Sequence, residues 1–251
     1  MRLANTLTLA AIATLAACSN NDNPLNPPIG QLRVANAISD SSTVQSSVES
    51  ISANDTLAFG QVTGEHDLFD GNYLVHLTAN SASLPSDTFD ANPVNIDKNH
   101  VTTVFAVGSM ADGSENSFIV EESDTDVPST KSEVQFVDVA YLHQDAVDIY
   151  VTAPGASLVG QTPVTGTSGL TFKSNTAQML DTFAPGTYEI RVTPHNVPAT
   201  ILFDTGPAGI QFPGQATEQF VLIDHTGGGS PFSLLVIVGS GSSHIVENGS
   251  S

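Results

Sequence analysis

The chain carries one sequence pattern twice. Residues 56–78 read TLAFGQVTGEHDLFDGNYLVHLT, and residues 169–193 read GLTFKSNTAQMLDTFAPGTYEIRVT. Both copies then run into the pattern FDxxPxxI, at residues 89–96 and 203–210. The repeat period of about 115 residues predicts two copies of one domain. The shared aromatic positions are Phe59, Phe69 and Tyr73 in the first copy and Phe172, Phe183 and Tyr188 in the second.

Strand-like patterns dominate both copies. Residues 74–78 alternate between apolar and polar side chains, and residues 101–107 form a β-branched and apolar run typical of a buried strand. No stretch of ten residues combines helical periodicity with suitable caps. We therefore predict an all-β protein with two tandem immunoglobulin-like β-sandwich domains of about seven strands each.

The repeat and the composition of the connecting segments predict the domain boundaries. The segment NNDNPLNPPIG is typical of an extended tether, and EESDTDVPSTKSE is typical of a polar linker. We predict a signal peptide at 1–17, a lipidated cysteine and tether at 18–30, and sandwiches at 31–125 and 133–240. A linker at 126–132 and a disordered tail at 241–251 complete the division.

The N-terminus is typical of an exported protein. Arg2 precedes a short apolar run that ends in small residues before Cys18, the only cysteine in the chain. The residues LAAC at 15–18 resemble the lipobox of bacterial lipoproteins, which implies cleavage before Cys18 and acyl chains such as palmitate on the processed cysteine. Ser19 resembles the sorting residue for the outer membrane in bacteria that have two membranes. The alternative is a lone cysteine that ends an ordinary secretory signal.

The charge balance limits the possible partners. Six basic residues against 26 acidic residues give a formal net charge of −20. Such a polyanion repels nucleic acid, so we exclude nucleic-acid binding. The acidity is consistent with solubility, with a salty medium or with a dedicated cation site.

Two groups of carboxylates are candidate calcium ligands. One is the pair Asp145 and Asp148, and the other is the acidic run of the linker, which a calcium ion could bridge between two sandwiches. Neither spacing matches a known calcium loop, and solvated carboxylates are the alternative in both cases. We therefore predict no cofactor, with Ca²⁺ as the alternative. The linker candidates are Glu121, Glu122, Asp124 and Asp126.

Catalytic motifs are absent from the sequence. The seven histidines are dispersed without an HExxH pair, and no GxSxG motif occurs. We therefore predict that the protein is not an enzyme and has no catalytic residues. The second copy contains an insertion at 153–166, rich in Gly, Pro and Thr, and loops of this kind often carry binding functions on sandwiches. A tolerated insertion without a role is the alternative.

Three segments of the second copy resemble the bacterial domain of unknown function 4397. They read VDVAYLHQDAVDIYV, LDTFAPGTYEIRVT and QFVLIDHTG. The resemblance covers both copies and implies a β-sandwich and export, but no reaction and no catalytic residues. The first copy departs from the pattern, because it has Gln45 and Ser46 in the region of Asp148. The matching residues of the second copy are Ala140, Asp145, Val147, Asp148, Tyr150, Gly186 and Tyr188.

The turn APGTY also resembles the tyrosine corner of immunoglobulin-like sandwiches. Tyr188 and its counterpart Tyr73 are predicted to be buried, with each hydroxyl bonded to upstream backbone. The alternative is that either ring stacks on a ligand.

These observations predict a lipid-anchored protein of the cell envelope that acts as a noncatalytic binding, adhesion or scaffolding module. Its expected partners are the membrane, through the anchor, and an unknown envelope protein or glycan. One alternative is an accessory envelope hydrolase with a site assembled from loops. The other alternative is that the protein is a purely structural spacer.

Overall fold

The protein is described by a computed structural model covering residues 28–49, 54–123, 126–176, 181–239 and 241–249. The predicted signal peptide, Cys18 and most of the tether lie outside these residues. Every regular element in the described part of the chain is a β-strand, which confirms the all-β prediction. Among the same residues, no helix is long and apolar enough to cross a membrane.

The first copy folds into two four-stranded sheets. One has the order β4-β1-β7-β8 and the other has the order β3-β2-β5-β6. Strands β1 and β7 pair in parallel, and the other pairs are antiparallel. The strands are β1 Ile29–Asn36, β2 Thr43–Val48, β3 Asn54–Leu57, β4 His66–Phe69, β5 Gly71–Asn80, β6 Asp87–Ile96, β7 His100–Val107 and β8 Asn116–Ser123.

The second copy repeats this plan. Strand β9 pairs with β11 and β12 on one side and in parallel with β16 on the other, and β17 and β18 complete that sheet. Strand β13 lies between β10 and β14 in the opposing sheet and also pairs with β15. The strands are β9 Ser132–Asp138, β10 Val147–Thr152, β11 Ser174–Asn175, β12 Asp181–Phe183, β13 Gly186–Pro194, β14 Phe203–Asp204, β15 Ile210–Phe212, β16 Ala216–Asp224, β17 Phe232–Val238 and β18 Ser242–Val246.

The four sheets are stacked, with an apolar core between each pair of neighbouring sheets. The first core fills the space between the two sheets of the first copy, and the second does the same in the second copy. The third core lies between the copies, where β1, β7 and β8 pack against β9, β16 and β17. Phe59 and Phe172, which match in the repeat, both pack against this third core. The two sandwiches therefore share a buried face. The buried members of this third core are Ala35, Ala37, Phe105, Val107, Val120, Val137, Val139, Val221, Ile223, Leu235 and Ile237.

A buried polar network borders the third core. Arg33 of β1 is 1% exposed, forms an ion pair with Glu122 and donates to the hydroxyl of Thr103 at 3.1 Å. The network crosses to the second sandwich, where Gln219 Oε1 lies 3.4 Å from Arg33 Nη2 and Gln219 Nε2 donates to Gln135 at 2.9 Å. A buried guanidinium needs partners of this kind, because an unpaired buried charge is costly. The network thus fixes how the two sandwiches meet.

The structure corrects two expectations about connecting segments. Glu121 and Glu122 belong to β8, so the first sheet runs further than the acidic sequence indicated. Residues 242–246, expected in a disordered tail, form β18 and pair with β17. Val246 packs against the second core, and Asn248 accepts a hydrogen bond from the backbone of Asp204. The strand was not predictable from the polar composition of this segment, because only one of its sides faces apolar residues.

Candidate functional site

The outward face of β10 and β13 carries a row of buried polar side chains. Alternate residues of a strand point to opposite sides, so the apolar members of both strands fill the second core while the polar members point away from it. Polar side chains on an outer sheet face are ordinarily solvated, but loops cover these. They are Asp148 at 1% exposure, Tyr150 at 3%, Thr152 at 8%, Glu189 at 4%, Arg191 at 8% and Thr193 at 0%.

Asp148 connects two loops to the sheet. Its Oδ1 accepts hydrogen bonds from the backbone N–H of Gly169 at 2.9 Å and from His195 Nδ1 at 2.8 Å. Its Oδ2 accepts the backbone N–H of Asn196 at 2.8 Å. Both backbone donors have left-handed conformations, with φ of 75° at Gly169 and 62° at Asn196. Glycine adopts this conformation readily, whereas it is uncommon for a residue with a side chain such as Asn196. The carboxylate of Asp148 therefore organises the loops on both sides.

The electrostatics of Asp148 follow from these contacts. Burial alone raises the pKa of its carboxyl, but the hydrogen bonds from His195, Asn196 and Gly169 outweigh burial, so that its pKa is lowered. Burial, together with the nearby charge of Asp148, raises the pKa of Tyr150. Asp148 is thus ionised and Tyr150 is neutral at physiological pH.

A second cluster surrounds Arg191. Its Nη2 donates to the hydroxyl of Thr152 at 2.6 Å, and its Nε lies 3.7 Å from a carboxylate oxygen of Glu189. Glu189 also accepts a hydrogen bond from the backbone of Gly155, in the insertion. Nε of Arg191 is buried and has no hydrogen-bond partner. A guanidinium has five N–H donors, and in the described part of the chain its one side-chain hydrogen bond is the bond to Thr152.

A cavity of about 560 Å³ opens directly over Arg191. Residues 157–161 of the insertion form one wall, and Pro198, Ala199 and Ile201 of the loop after β13 form the other. Several apolar side chains at its rim face solvent, since Val159 is 89% exposed and Ile201 is 42% exposed. The volume lies within the range of about 300–1,000 Å³ that ligand sites occupy. The cavity thus combines apolar walls with one buried cation.

The insertion and the residues that follow it also close the edge of the sheet. Leu170 exchanges two backbone hydrogen bonds with Val147 of β10, and the N–H of Val164 donates to Ile149. In the first sandwich, β3 pairs along the corresponding edge of β2. An uncovered edge strand invites pairing with another chain. The insertion therefore has a structural role besides forming the cavity wall.

The first sandwich has a different outer face. The strand registers place Gln45 at the position of Asp148, Ser47 at that of Tyr150 and His76 at that of Arg191. Gln45 is exposed, and His76 is half-exposed and bonds Asp90 at 2.7 Å. A groove of about 320 Å³ on this face is lined almost wholly by polar side chains. The buried cluster is a property of the second copy.

The calcium candidates of the second copy do not form a shared site. Asp145 is exposed in the loop before β10, whereas the oxygens of Asp148 already accept three hydrogen bonds. Within the described residues, no group of three or more His, Cys, Asp or Glu side chains could hold a metal ion.

The linker candidates lie partly at a cavity of about 340 Å³ between the sandwiches, which Glu122 and Asp126 line. Glu122 is paired with Arg33, and Asp124 lies outside the described residues. An arginine beside a carboxylate competes with a cation for it, so this arrangement does not favour calcium binding.

Both predicted corner tyrosines bond to backbone four residues upstream. The hydroxyl of Tyr73 donates to the carbonyl of Phe69 at 3.0 Å, and that of Tyr188 donates to the carbonyl of Ala184 at 2.9 Å. The rings are half-buried rather than buried as expected.

Sequence reasoning missed Thr152, Glu189, Arg191 and His195. The signal was present in the run EIRVT, where Glu189 and Arg191 alternate with apolar residues on a strand. Such alternation ordinarily marks a solvated face, so their burial depends on loops that the pattern does not reveal.

One protein family matches part of the chain. No curated protein matches the chain. The model of the family described as "Domain of unknown function (DUF4397)" matches residues 30–150, which span the first sandwich together with β9 and most of β10. The match covers one copy of the repeat, and the second copy lies largely outside it.

Proposed function

We propose that the protein is a lipid-anchored, noncatalytic binding module of the cell envelope, and that the outer face of its second sandwich is the binding surface. The observation that carries this proposal is the cavity over Arg191. One of its walls comes from an insertion that the first copy lacks, and its floor is the buried cation of Arg191. A spacer needs neither feature.

Anchoring is supported by the lipobox-like residues at 15–18 and by the polar segment that follows them. A lipidated thiol and a second acyl chain supply stable membrane attachment, whereas a single chain binds only marginally. We expect Cys18→Ser to leave an uncleaved or soluble precursor. Fractionation of cells that express each form measures this. A serine variant that stays with membranes after a salt wash contradicts the anchor.

Binding by the outer face is tested with a variant that fills the cavity. Ala199 is exposed and lines the wall, so Ala199→Phe should occupy the space without disturbing the core. Ser47→Phe on the first outer face is the matched control. We expect wild type and Ser47→Phe to retain the same component of solubilised envelopes and Ala199→Phe to lose it. Equal retention by all three contradicts the assignment.

One contact favours a hydrolase as the second candidate. Asp148 holds Nδ1 of His195, as the carboxylate of a catalytic triad holds its histidine. In the described part of the chain, however, no hydroxyl or thiol is hydrogen-bonded to Nε2 of that ring. His195→Gln separates the two candidates: hydrolysis of ester or amide substrates by wild type, abolished in this variant, favours the enzyme.

A further inference from the structure

We infer that the cavity over Arg191 accepts a small apolar carboxylate, with its carboxylate on the guanidinium and its apolar body between the two loops. This inference rests on the proposed binding role of the same face. It assigns the chemical class of the ligand from the two kinds of surface that meet in the cavity.

The cation supplies the first half of the argument. Arg191 is more than nine-tenths buried and lines the cavity. Its Nη2 donates to the hydroxyl of Thr152, and its Nε lies 3.7 Å from the carboxylate of Glu189. Nε is buried and faces Glu189, so the terminal Nη groups are the donors that a ligand in the cavity can reach. Guanidinium groups bind carboxylates through two parallel hydrogen bonds, which a hydroxyl or an amine cannot reproduce.

The walls supply the second half. Leu158, Val159 and Ile201 present aliphatic side chains, and Pro198 and Ala199 add small apolar surfaces. Val159 is 89% exposed and Ile201 is 42% exposed. Covering them removes apolar area from water at roughly 25 cal/mol per Å². A purely ionic ligand leaves this gain unused, and a purely apolar ligand leaves the donors of Arg191 unused.

Glu189 limits the ligand to one anionic group. Its carboxylate is 4% exposed and already accompanies Arg191, so the pair is close to neutral before a ligand enters. A dianion such as a phosphate monoester would place a second uncompensated charge beside Glu189. The sequence as a whole is strongly acidic, with a formal net charge of −20, which opposes highly charged anions further.

The test measures binding of decanoate, decan-1-ol and decylammonium to the full chain without its signal peptide, by calorimetry. The loss of a charge-assisted hydrogen-bond pair corresponds to about tenfold or more in affinity. We therefore expect decanoate to bind with one site and decan-1-ol to bind about tenfold more weakly. Equal affinity for the acid and the alcohol, or no binding of any of the three, overturns the inference.

Variants locate the site. Glu189→Gln combined with Arg191→Met removes both charges together, so that neither is left buried alone, and it should abolish the preference for the acid. Lys98→Met is the control, because it removes a positive charge from an exposed turn. Ala199→Phe should abolish binding altogether. Circular dichroism checks that each variant is folded, and a preference that survives in the double variant overturns the inference.

The outcomes also separate this inference from the proposed function. If Ala199→Phe loses the envelope component but decanoate does not bind the wild type, the binding face stands and the ligand class is wrong. If decanoate binds as expected and Ala199→Phe retains the envelope component, the site exists but the proposed role of the face is wrong. A tetrapeptide with a free C-terminal leucine that binds more tightly than decanoate overturns the small-molecule assignment.

Discussion

The outer faces of the two sandwiches share one strand plan and differ in almost every side chain that points away from the core. On the first face, Gln45 and His76 are open to solvent, and β3 closes the sheet edge. On the second face, Asp148 and Arg191 occupy the same register positions beneath two loops. The cores tolerate little change, since both copies keep apolar residues at the inward positions.

This difference shows where new function can arise in a duplicated sandwich. Inward positions are constrained by packing, because adding or removing even one methylene group in a close-packed core changes the stability of the fold. Outward positions are free to vary until a loop covers them. The insertion at 153–166 covers polar residues of β10 that require partners when buried, and Asp148 and Glu189 hold the segments that cover them. The same loops enclose the cavity.

The largest expected effect in this comparison comes from Asp148→Ala. The change removes the acceptor for two backbone N–H groups and for His195. Hydrogen bonds to a charged group contribute about 1.5–3 kcal/mol each, so losing these should lower the free energy of unfolding by about 3 kcal/mol. Gln45→Ala at the matching position should stay within about 0.5 kcal/mol, since Gln45 is exposed.

Urea melts of the two variants measure this contrast. Asp148→Asn is a useful intermediate, because it keeps one acceptor oxygen and should lose less stability than the alanine variant. Similar midpoints for Asp148→Ala and Gln45→Ala would show that the loops do not depend on the carboxylate.

The effect of pH sharpens the comparison between corresponding residues of the two copies. Asn36 and Asp138 are equivalent, and each side chain accepts the backbone N–H two residues further on. Asp138 is fully buried, its Oδ2 has no hydrogen-bond partner, and Asp224 lies close enough to repel its charge. Burial, with a smaller contribution from Asp224, raises the pKa of Asp138 to about 7.

The sign of the pH effect follows from this shift. The unfolded pKa is about 3.9, so the folded state binds more protons between that value and about 7. The contribution of Asp138 to stability is therefore complete below about pH 4 and is lost as the pH rises through about 7. Asp148 has the opposite sign, because its lowered pKa makes its contribution disappear as the pH falls through the folded-state value.

Asp138→Asn should raise the urea midpoint at pH 8 and change it less at pH 5, because it installs the neutral side chain of the first copy. Burial likewise raises the pKa of Glu218 to about 7, so Glu218→Gln should act in the same direction. The reciprocal variant Asn36→Asp should lose stability as the pH rises, since Asn36 Nδ2 donates to the carbonyl of Leu57. A midpoint of Asp138→Asn that follows the wild type at both pH values contradicts the assignment.

The sequence was sufficient to predict the all-β class and the repeat, because alternation and aromatic spacing are local signals, but it did not reveal β18. The face between the sandwiches was not predictable in the same way. Ala35, Phe105 and Val137 read as ordinary members of buried strands, and their partners lie in the other copy. The buried outer cluster was missed for a related reason, since burial there is imposed by loops far along the chain. Of its members, Asp148 was selected as a possible metal ligand, and its role in holding loops emerged only from its contacts.

The smallest expected effects concern Tyr73 and Tyr188, where the two copies agree. Each hydroxyl donates to a carbonyl four residues upstream, and each ring is half-buried. The phenylalanine variants should therefore lower the free energy of unfolding by similar amounts, about 0.5–1.5 kcal/mol, as expected for one partly solvated hydrogen bond.

The alanine variants of the two tyrosines should differ, because Tyr188 also packs against Phe183 and Phe212, with ring centroids at 5.5 and 4.8 Å. Such aromatic pairs contribute about 0.5–1.5 kcal/mol beyond the area they bury, so Tyr188→Ala should cost more than Tyr73→Ala by about that amount. Urea melts of the four variants measure both differences. If these rings instead serve to stack on a ligand, all four midpoints should stay close to that of the wild type, and the half-buried tyrosines would become binding residues rather than fixed corners of the fold.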